Sequence, residues 1–220
     1  MSRDQFATVV QTLPRLWTVA RNTTPTYHFD SANDVTADFL ESEGIRGVLW
    51  DVDGTIMSYH AKAIDGEFGH LGDLFANGPA KHSILSNCDE SRFRELAEMI
   101  PELPNIRGYT TPSGLVFRKT HHGQDTHTPA QVAELLAGGA KQIRKPSGPL
   151  IRYGMEVLSV DDPNAMLMVG DQHLTDVASA NLAGARSAKV RTWRRDTFPA
   201  SIRFAQRLER ALYWVMRPFS

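Results

Sequence analysis

Asp51-Val52-Asp53-Gly54-Thr55 follows directly on the apolar run Gly47-Val48-Leu49-Trp50. In extended backbone, residues i and i+2 face the same side, so the two carboxylates point together. Carboxylates held side by side either share a proton or hold a cation between them. Gly54 lets the chain turn at once, and Thr55 brings a hydroxyl and a backbone amide to the same point. A second acidic group, Gly170-Asp171-Gln172-His173-Leu174-Thr175-Asp176, follows the apolar run Ala165-Met166-Leu167-Met168-Val169. Any one of these aspartates alone reads equally well as a turn or helix cap. Two such groups after successive strands favour a joint site, and hard oxygen donors without clustered thiolates favour Mg²⁺ over zinc.

Ser86-Asn87 and Lys145 extend the set. Ser86-Asn87 closes the apolar run that begins at Ser83 and offers a hydroxyl and helix-opening amides to an anionic oxygen. Lys145 stands before Pro146, which cannot continue a ladder, so a rigid loop would carry its ammonium to the same place. Asp51, Asp53, Asp171 and Asp176 are thus the candidate metal set, with Thr55, Ser86, Asn87 and Lys145 as candidate substrate contacts.

The elements that must position these residues follow from periodicity. Short apolar strands at 47–50, 83–86 and 165–169 alternate with helical patterns at 35–43, 90–99, 148–158 and 176–182. That alternation predicts an α/β protein with a doubly wound parallel sheet, whose carboxyl edge is where such folds bind ligands. Further elements are expected at 105–109 (strand) and 129–136 (helix), with 108–128 a loop, hairpin or small lid. The 220 residues, 41% apolar and 22% charged, suit one domain at 31–195 between a helical arm at 1–30 and a C-terminal segment at 196–220. Phe6, Val9, Val10, Leu13 and Leu16 carry the helical spacing of the arm. Lys+Arg at 24 against Asp+Glu at 25 leaves a net charge of −1, so no whole-chain basic footprint calls for nucleic acid.

The order DxDGT, apolar-Ser-Asn, Lys-Pro, GDxxxxD resembles the four motifs of the haloacid dehalogenase-like (HAD) phosphatase superfamily, across 48–176. Gly44-Ile45-Arg46-Gly47 before the first motif, and Val169-Gly170-Asp171-Gln172 with Thr175-Asp176, resemble its subfamily IIIA, which includes phosphatidylglycerophosphate phosphatases. The resemblance implies a Rossmann-like fold without a large cap and Mg²⁺-dependent hydrolysis of a phosphomonoester. It implies Asp51 as the nucleophile that forms an aspartyl-phosphate, and Asp53 as general acid and then base. It implies that Asp51, the Asp53 main-chain carbonyl and Asp171 hold Mg²⁺, with Asp176 supporting the metal or Lys145. Ser86 and Lys145 would bind the phosphoryl group. Phosphatidylglycerophosphate is the first specific substrate it points to. A soluble nucleotide or sugar phosphate, or a catalytically weak binding module, stands as the alternative.

His121, His122 and His127 lie in the 108–128 stretch, where they read as a metal site, a contact to an anionic substrate or a solvated loop. Cys88, the one cysteine, forms no intramolecular disulfide and sits close after Asn87. Asp4 and Gln5 interrupt the place where a signal peptide would begin its apolar run, so a cytoplasmic location is expected. From residue 191 onward, seven Arg against one Asp and one Glu give +5, so the rest carries −6. In that segment Ile202, Ala205, Leu208, Leu212 and Val215 share a helical face, with Arg203, Arg207, Arg210 and Arg217 on another and Phe204, Trp214 and Phe219 near the boundary. Such a helix over 198–220 suits packing on its own domain, peripheral contact with anionic lipid or a protein interface.

Overall fold

The computed structural model describes residues 18–19 and 21–216. In chain order the elements are β1 (Tyr27–His28), α1 (Ala37–Ser42), β2 (Gly47–Trp50), α2 (Leu71–Asn77), β3 (Lys81–Ile84), α3 (Glu90–Met99), β4 (Asn105–Thr111) and β5 (Gly114–His121). There follow β6 (Gln124–Asp125), α4 (Pro129–Ala137), β7 (Lys141–Ile143), α5 (Gly148–Leu158), β8 (Met166–Gly170), a π-helical turn (His173–Val177), α6 (Ala178–Ala183), β9 (Arg186–Lys189) and α7 (Ala200–Met216). One mixed sheet takes all nine strands in the order β1-β9-β8-β2-β3-β4-β5-β6, with β7 pairing the other half of β4.

β2 and β8 are apolar at nearly every position because helices cover both faces of the sheet. Val48, Trp50, Leu167 and Val169 face Phe68, Leu71, Phe93 and Leu96 on one side. Leu49, Met166 and Met168 face Leu150, Ile151, Met155 and Leu158 of α5 on the other. Ser147 caps α5, its Oγ accepting from the Leu150 amide, and Pro149 occupies the first turn where its missing N–H costs nothing.

β2 pairs in parallel with β3 on one side and β8 on the other, with Trp50 level with both Ile84 and Val169. β9 continues beyond β8, Lys189 level with Gly170. The strand order therefore reverses at β2, and the crevice between the carboxyl ends of β2 and β8 is a topological switch point. Asp51 and Asp171 are the first residues past those two ends.

Several expectations change. The second strand is β3 at Lys81–Ile84, two residues earlier than its apolar pattern suggested, so Ser86 lies in the loop beyond it. The helical pattern at 176–182 resolves into the π-helical turn followed by α6. Most of 108–128 is neither free loop nor separate lid. β4 touches β3 only at Ile84 and Asn105, then runs on to Thr111, about 20 Å past the edge of the neighbouring strand. β5 pairs with its whole length. Two arginines, Arg107 and Arg118, are almost fully buried there. Both pair with Glu90 of α3 (2.9 and 2.6 Å), and Arg118 also with Asp125, which ties the hairpin to α3. Of the arm, Phe6, Val9, Val10, Leu13 and Leu16 lie outside the described residues. Its end is well anchored, since Asn181 Nδ2 donates to the Asn22 and Thr24 carbonyls at 2.8 Å and β1 extends the sheet beside β9.

His82 carries a consequence for stability. It is buried on β3 against Trp50 and Phe75, and its Nδ1 accepts from Trp50 Nε1 at 3.1 Å. Burial lowers its pKa from 6.5 to about 4. The folded state thus binds fewer protons than the unfolded chain, and the neutral ring's contribution is complete above pH 6.5 and lost as pH falls toward 4. That loss is about 3 kcal/mol. Urea unfolding at pH 7.5 and 5 is expected to show about 2 kcal/mol of it, and to show a smaller pH effect in His82→Gln, which keeps an acceptor for Trp50 and does not titrate.

Candidate active site

Parallel register sets the carboxyl edge as a row: Lys189 at the end of β9, Asp171 after β8, Asp51 after β2 and Ser86 after β3. Asp176 reaches back into that row from the π-helical turn, an element that recurs at functional sites. Its Oδ2 accepts from the Gln172 amide at 3.0 Å. Gly170 permits the approach, because a Cβ there would lie 2.3 Å from the Asp176 carboxyl carbon. Asp51, Asp171 and Asp176, all buried, place carboxylate oxygens within 4.8 Å of one another.

Lys145 enters this cluster from the loop after β7. Its Nζ lies 2.9 Å from Asp51 Oδ1 and 2.6 Å from Asp176 Oδ1, and donates to the Leu85 carbonyl at 2.8 Å. The Lys145–Pro146 peptide is cis. Asn87 holds this loop rather than facing the cluster. Its Oδ1 accepts from the Lys145 amide at 2.7 Å and its Nδ2 donates to the Lys145 carbonyl at 3.0 Å. Arg144 donates to the Asn87 carbonyl and Gln142 to that of Cys88, so the loops after β3 and β7 are stitched together.

Asp53 stands apart from the three clustered carboxylates. Its Oδ1 accepts from Arg92 Nη2 at 2.9 Å and from the His60 amide at 3.1 Å. Both bonds fall on one oxygen, which leaves Oδ2 to carry a proton. Gly54, at φ +87°, turns the chain under Phe198, where a Cβ would come 2.7 Å from the ring. Thr55 is buried with no hydrogen-bond partner for its hydroxyl, and Ser86 is half-buried at the mouth.

Charges in this space shift one another. Burial, then Asp176 and Asp51, push Asp171 well above the usual carboxylate range. Burial raises Asp176 to about 6 against the opposing pull of Lys145. Burial works to lower the Lys145 pKa, but Asp176 and Asp51 outweigh it and raise the ammonium above its ordinary value. Burial also raises Asp53, more than offsetting Arg92. Neither oxygen of Asp171 has a hydrogen-bond partner although both are buried. Orphaned anionic oxygens beside two further carboxylates, with Lys145 bonded to two of the three and Lys189 near the third, fit a hard divalent cation.

Arg92 was not among the sequence candidates, and α7 was read for packing, lipid or protein contact and not as a wall of this site. Arg92 looks like a solvated helix position, yet it is 2% exposed and anchors Asp53, Glu95 and the Ala61 carbonyl. Nothing in the local pattern marks it, because the carboxylate it serves is remote in sequence. α7 docks through Gln206 and Tyr213, whose ring stacks on His173 at 3.8 Å between centroids. Leu208 is exposed together with Phe204 and Trp214. The face turned to the edge meets the polar neighbours of Asp171, so Gln206 lies inward, while the side chains of Ala205, Leu212 and Val215 lie outside the described residues. Arg217 and Phe219 lie outside the described residues. His121 bonds the Glu102 carbonyl and His127 bonds Thr126. Among the described residues the metal-type grouping is Asp51, Asp171 and Asp176, not the histidines. Cys88 is buried, its Sγ accepting from Arg107 at 3.3 Å, and burial raises its thiol pKa.

No curated protein matches the chain. A crystal structure described as an uncharacterized protein from Listeria monocytogenes serotype 4b is similar at 17% identity and a TM-score of 0.41, covering 65% of this chain and 76% of that one. Residues 142–197, the segment that carries Lys145, Asp171 and Asp176, match the family model described as HAD-hydrolase-like, which supports membership of the HAD superfamily.

Proposed function

We propose that the chain is a Mg²⁺-dependent phosphatase that hydrolyses a phosphomonoester through an aspartyl-phosphate. The observation that carries this reading is the cluster of Asp51, Asp171 and Asp176 closed by the buried Lys145. Mg²⁺ held by Asp51, Asp171 and the Asp53 carbonyl would neutralise substrate oxygens that the carboxylates repel. Asp176 orients Lys145, and Lys145 with the Ser86 hydroxyl binds the phosphoryl oxygens. An Asp51 oxygen attacks phosphorus as the ester P–O bond breaks, and Asp53 gives its Oδ2 proton to the leaving oxygen. Asp53, now ionised and steadied by Arg92, takes a proton from water as that water attacks phosphorus and the bond to Asp51 breaks. Thr55 supports the turn beneath the phosphoryl group, and Asn87 acts by positioning Lys145.

A lipid head group is the substrate class we put first, with phosphatidylglycerophosphate as its test case. Phe204, Leu208 and Trp214 are exposed on α7 beside Arg203, Arg207 and Arg210, a combination suited to peripheral contact with an anionic membrane. Among the described residues no helix is long and apolar enough to cross a membrane.

The deciding experiment pairs turnover with melting. Mg²⁺ is expected to raise the melting temperature through binding to the folded state and to support release of phosphate from p-nitrophenyl phosphate. Asp171→Asn should lose the thermal shift, and excess chelator should stop turnover. Absence of both effects in the unsubstituted chain would reject the reading. Aryl phosphate turnover without hydrolysis of phosphatidylglycerophosphate in mixed micelles would remove the lipid alone.

A further inference from the structure

A cavity of about 60 Å³ opens beside Asp171, lined by Asp171, His173, Lys189, Thr192, Gln206 and Arg210. It has room for more than one water. Gln206 is only 5% exposed, yet neither its Nε2 nor its Oε1 has a hydrogen-bond partner. A buried amide left without partners costs free energy, so a ligand that satisfies it is the natural explanation.

The charge around the cavity indicates what that ligand is. Lys189 and Arg210 line it, and Arg195, which donates to the Arg203 carbonyl, feels the charges of Arg203, Arg207 and Arg210 as well as that of Asp171. Burial and then the repulsion of Arg210, Arg207 and Arg203 depress the Arg195 pKa, and the Nε of Arg195 is buried without a partner. Cations gathered against their own repulsion call for an anion between them. Asp171 is the one acid in the lining, and its oxygens belong to the grouping with Asp51 and Asp176. His173 spends Nδ1 on the Thr23 carbonyl and walls the cavity with its ring. Thr192 and Gln206 supply neutral donors, which together with arginine and lysine suit a phosphate oxygen better than a carboxylate alone.

We infer that this cavity binds a second phosphate-type anion of the substrate, either a phosphate or a phosphodiester, while the phosphomonoester lies at Asp51. The inference rests on the phosphatase reading. β8 alone separates β9 from β2, so the backbones of Lys189 and Asp51 are two strand spacings, about 10 Å, apart, which sets the scale of the interval between the two anions. A short polyol linker spans that interval. Gln206 and Arg210 then set specificity and stand outside the chemical step.

The test compares propane-1,3-diol bisphosphate with 3-hydroxypropyl phosphate, which share a linker and differ in the second anion. The specificity constant is expected to be about tenfold higher for the bisphosphate, and the ratio to fall to about two in Gln206→Leu and in Arg210→Gln. Gln206→Leu removes an unsatisfied amide in favour of an apolar side chain of similar size, so it should fold, and a thermal melt checks that. Calorimetric titration of the bisphosphate into the full chain carrying Asp51→Asn gives a readout free of turnover. Adding Gln206→Leu should weaken that binding about tenfold. Equal specificity constants for the two esters, or calorimetric binding indifferent to Gln206, would overturn the site and leave the phosphatase reading standing. Hydrolysis of neither ester, nor of p-nitrophenyl phosphate, would reject the phosphatase reading, while Gln206-dependent binding would still support the anion site. The same ratio measured with phosphatidylglycerophosphate in mixed micelles separates the sources. A Gln206 effect on the lipid alone assigns a head group, and an effect on the soluble ester alone assigns a soluble bisphosphate.

Discussion

Asp51→Asn is expected to lower phosphate release from p-nitrophenyl phosphate by at least about a thousandfold, a barrier increase of about 4 kcal/mol or more. The amide keeps the shape of the carboxylate and can still accept from Lys145, which lies 2.9 Å from Asp51 Oδ1. It lacks the charge needed to attack phosphorus. The loss should not come from unfolding. Asp51, Asp171 and Asp176 crowd three buried carboxylates together with only Lys145 bonded among them, so neutralising one relieves repulsion in the metal-free chain. The metal-free melting temperature of Asp51→Asn should therefore equal or exceed that of the unsubstituted chain. Dead activity with raised or equal stability separates a nucleophile from a structural aspartate, and undiminished turnover would remove Asp51 from the reaction.

Lys145→Met should behave in the opposite way on stability. Lys145 is 1% exposed and pairs with both Asp51 and Asp176, so its loss leaves buried carboxylates without a cation. Breaking a buried pair from one side costs about 3–5 kcal/mol, and that is the destabilisation expected in metal-free buffer at pH 7.5. Two conditions should restore much of it. Mg²⁺ supplies the missing positive charge, so the thermal shift on adding it should be larger than in the unsubstituted chain. Lower pH also helps, because Asp171 and Asp176 already titrate above the ordinary carboxylate range and lose their charge early. Turnover should fall about a hundredfold or more even with Mg²⁺, since the ammonium that steadies the phosphoryl oxygens is gone. A variant as stable as the parent without metal would mean that Lys145 is not the counter-charge of this cluster.

The candidate residues were readable because each sits directly after an apolar strand or within a short loop at a strand end. Asp51 and Asp171 follow β2 and β8, which are buried on both faces and so stand out as continuous apolar runs. Ser86 was placed at the end of a strand that in fact stops at Ile84, a displacement of the kind expected where an apolar run continues into a buried loop. Asn87 was grouped with the substrate contacts by adjacency, and only its bonds to the Lys145 backbone give it a different task. The 108–128 stretch read as a loop, hairpin or lid, and the hairpin is what forms; local pattern did not choose among them because its buried members include Arg118 and Thr120, whose polar groups are satisfied by partners far away in sequence.

The near-neutral total charge is equally two-sided. The basic C-terminal segment was visible in the composition, but which face of α7 meets the domain was not. Helical periodicity puts Leu208 on an apolar face without saying what that face meets, whereas the docked face carries Gln206 and Tyr213, because the surface it meets includes the polar end of β8 and β9. Local pattern by itself determined the alternating α/β architecture and the aspartates at its strand ends, since burial on both sheet faces and the abrupt change to carboxylates are written in neighbouring residues. Tertiary structure alone decided that Arg92 holds Asp53, that Asn87 holds Lys145 and that an arginine-rich helix closes over a cavity beside Asp171. Those arrangements depend on distances between residues remote in the chain, which spacing within one element does not encode.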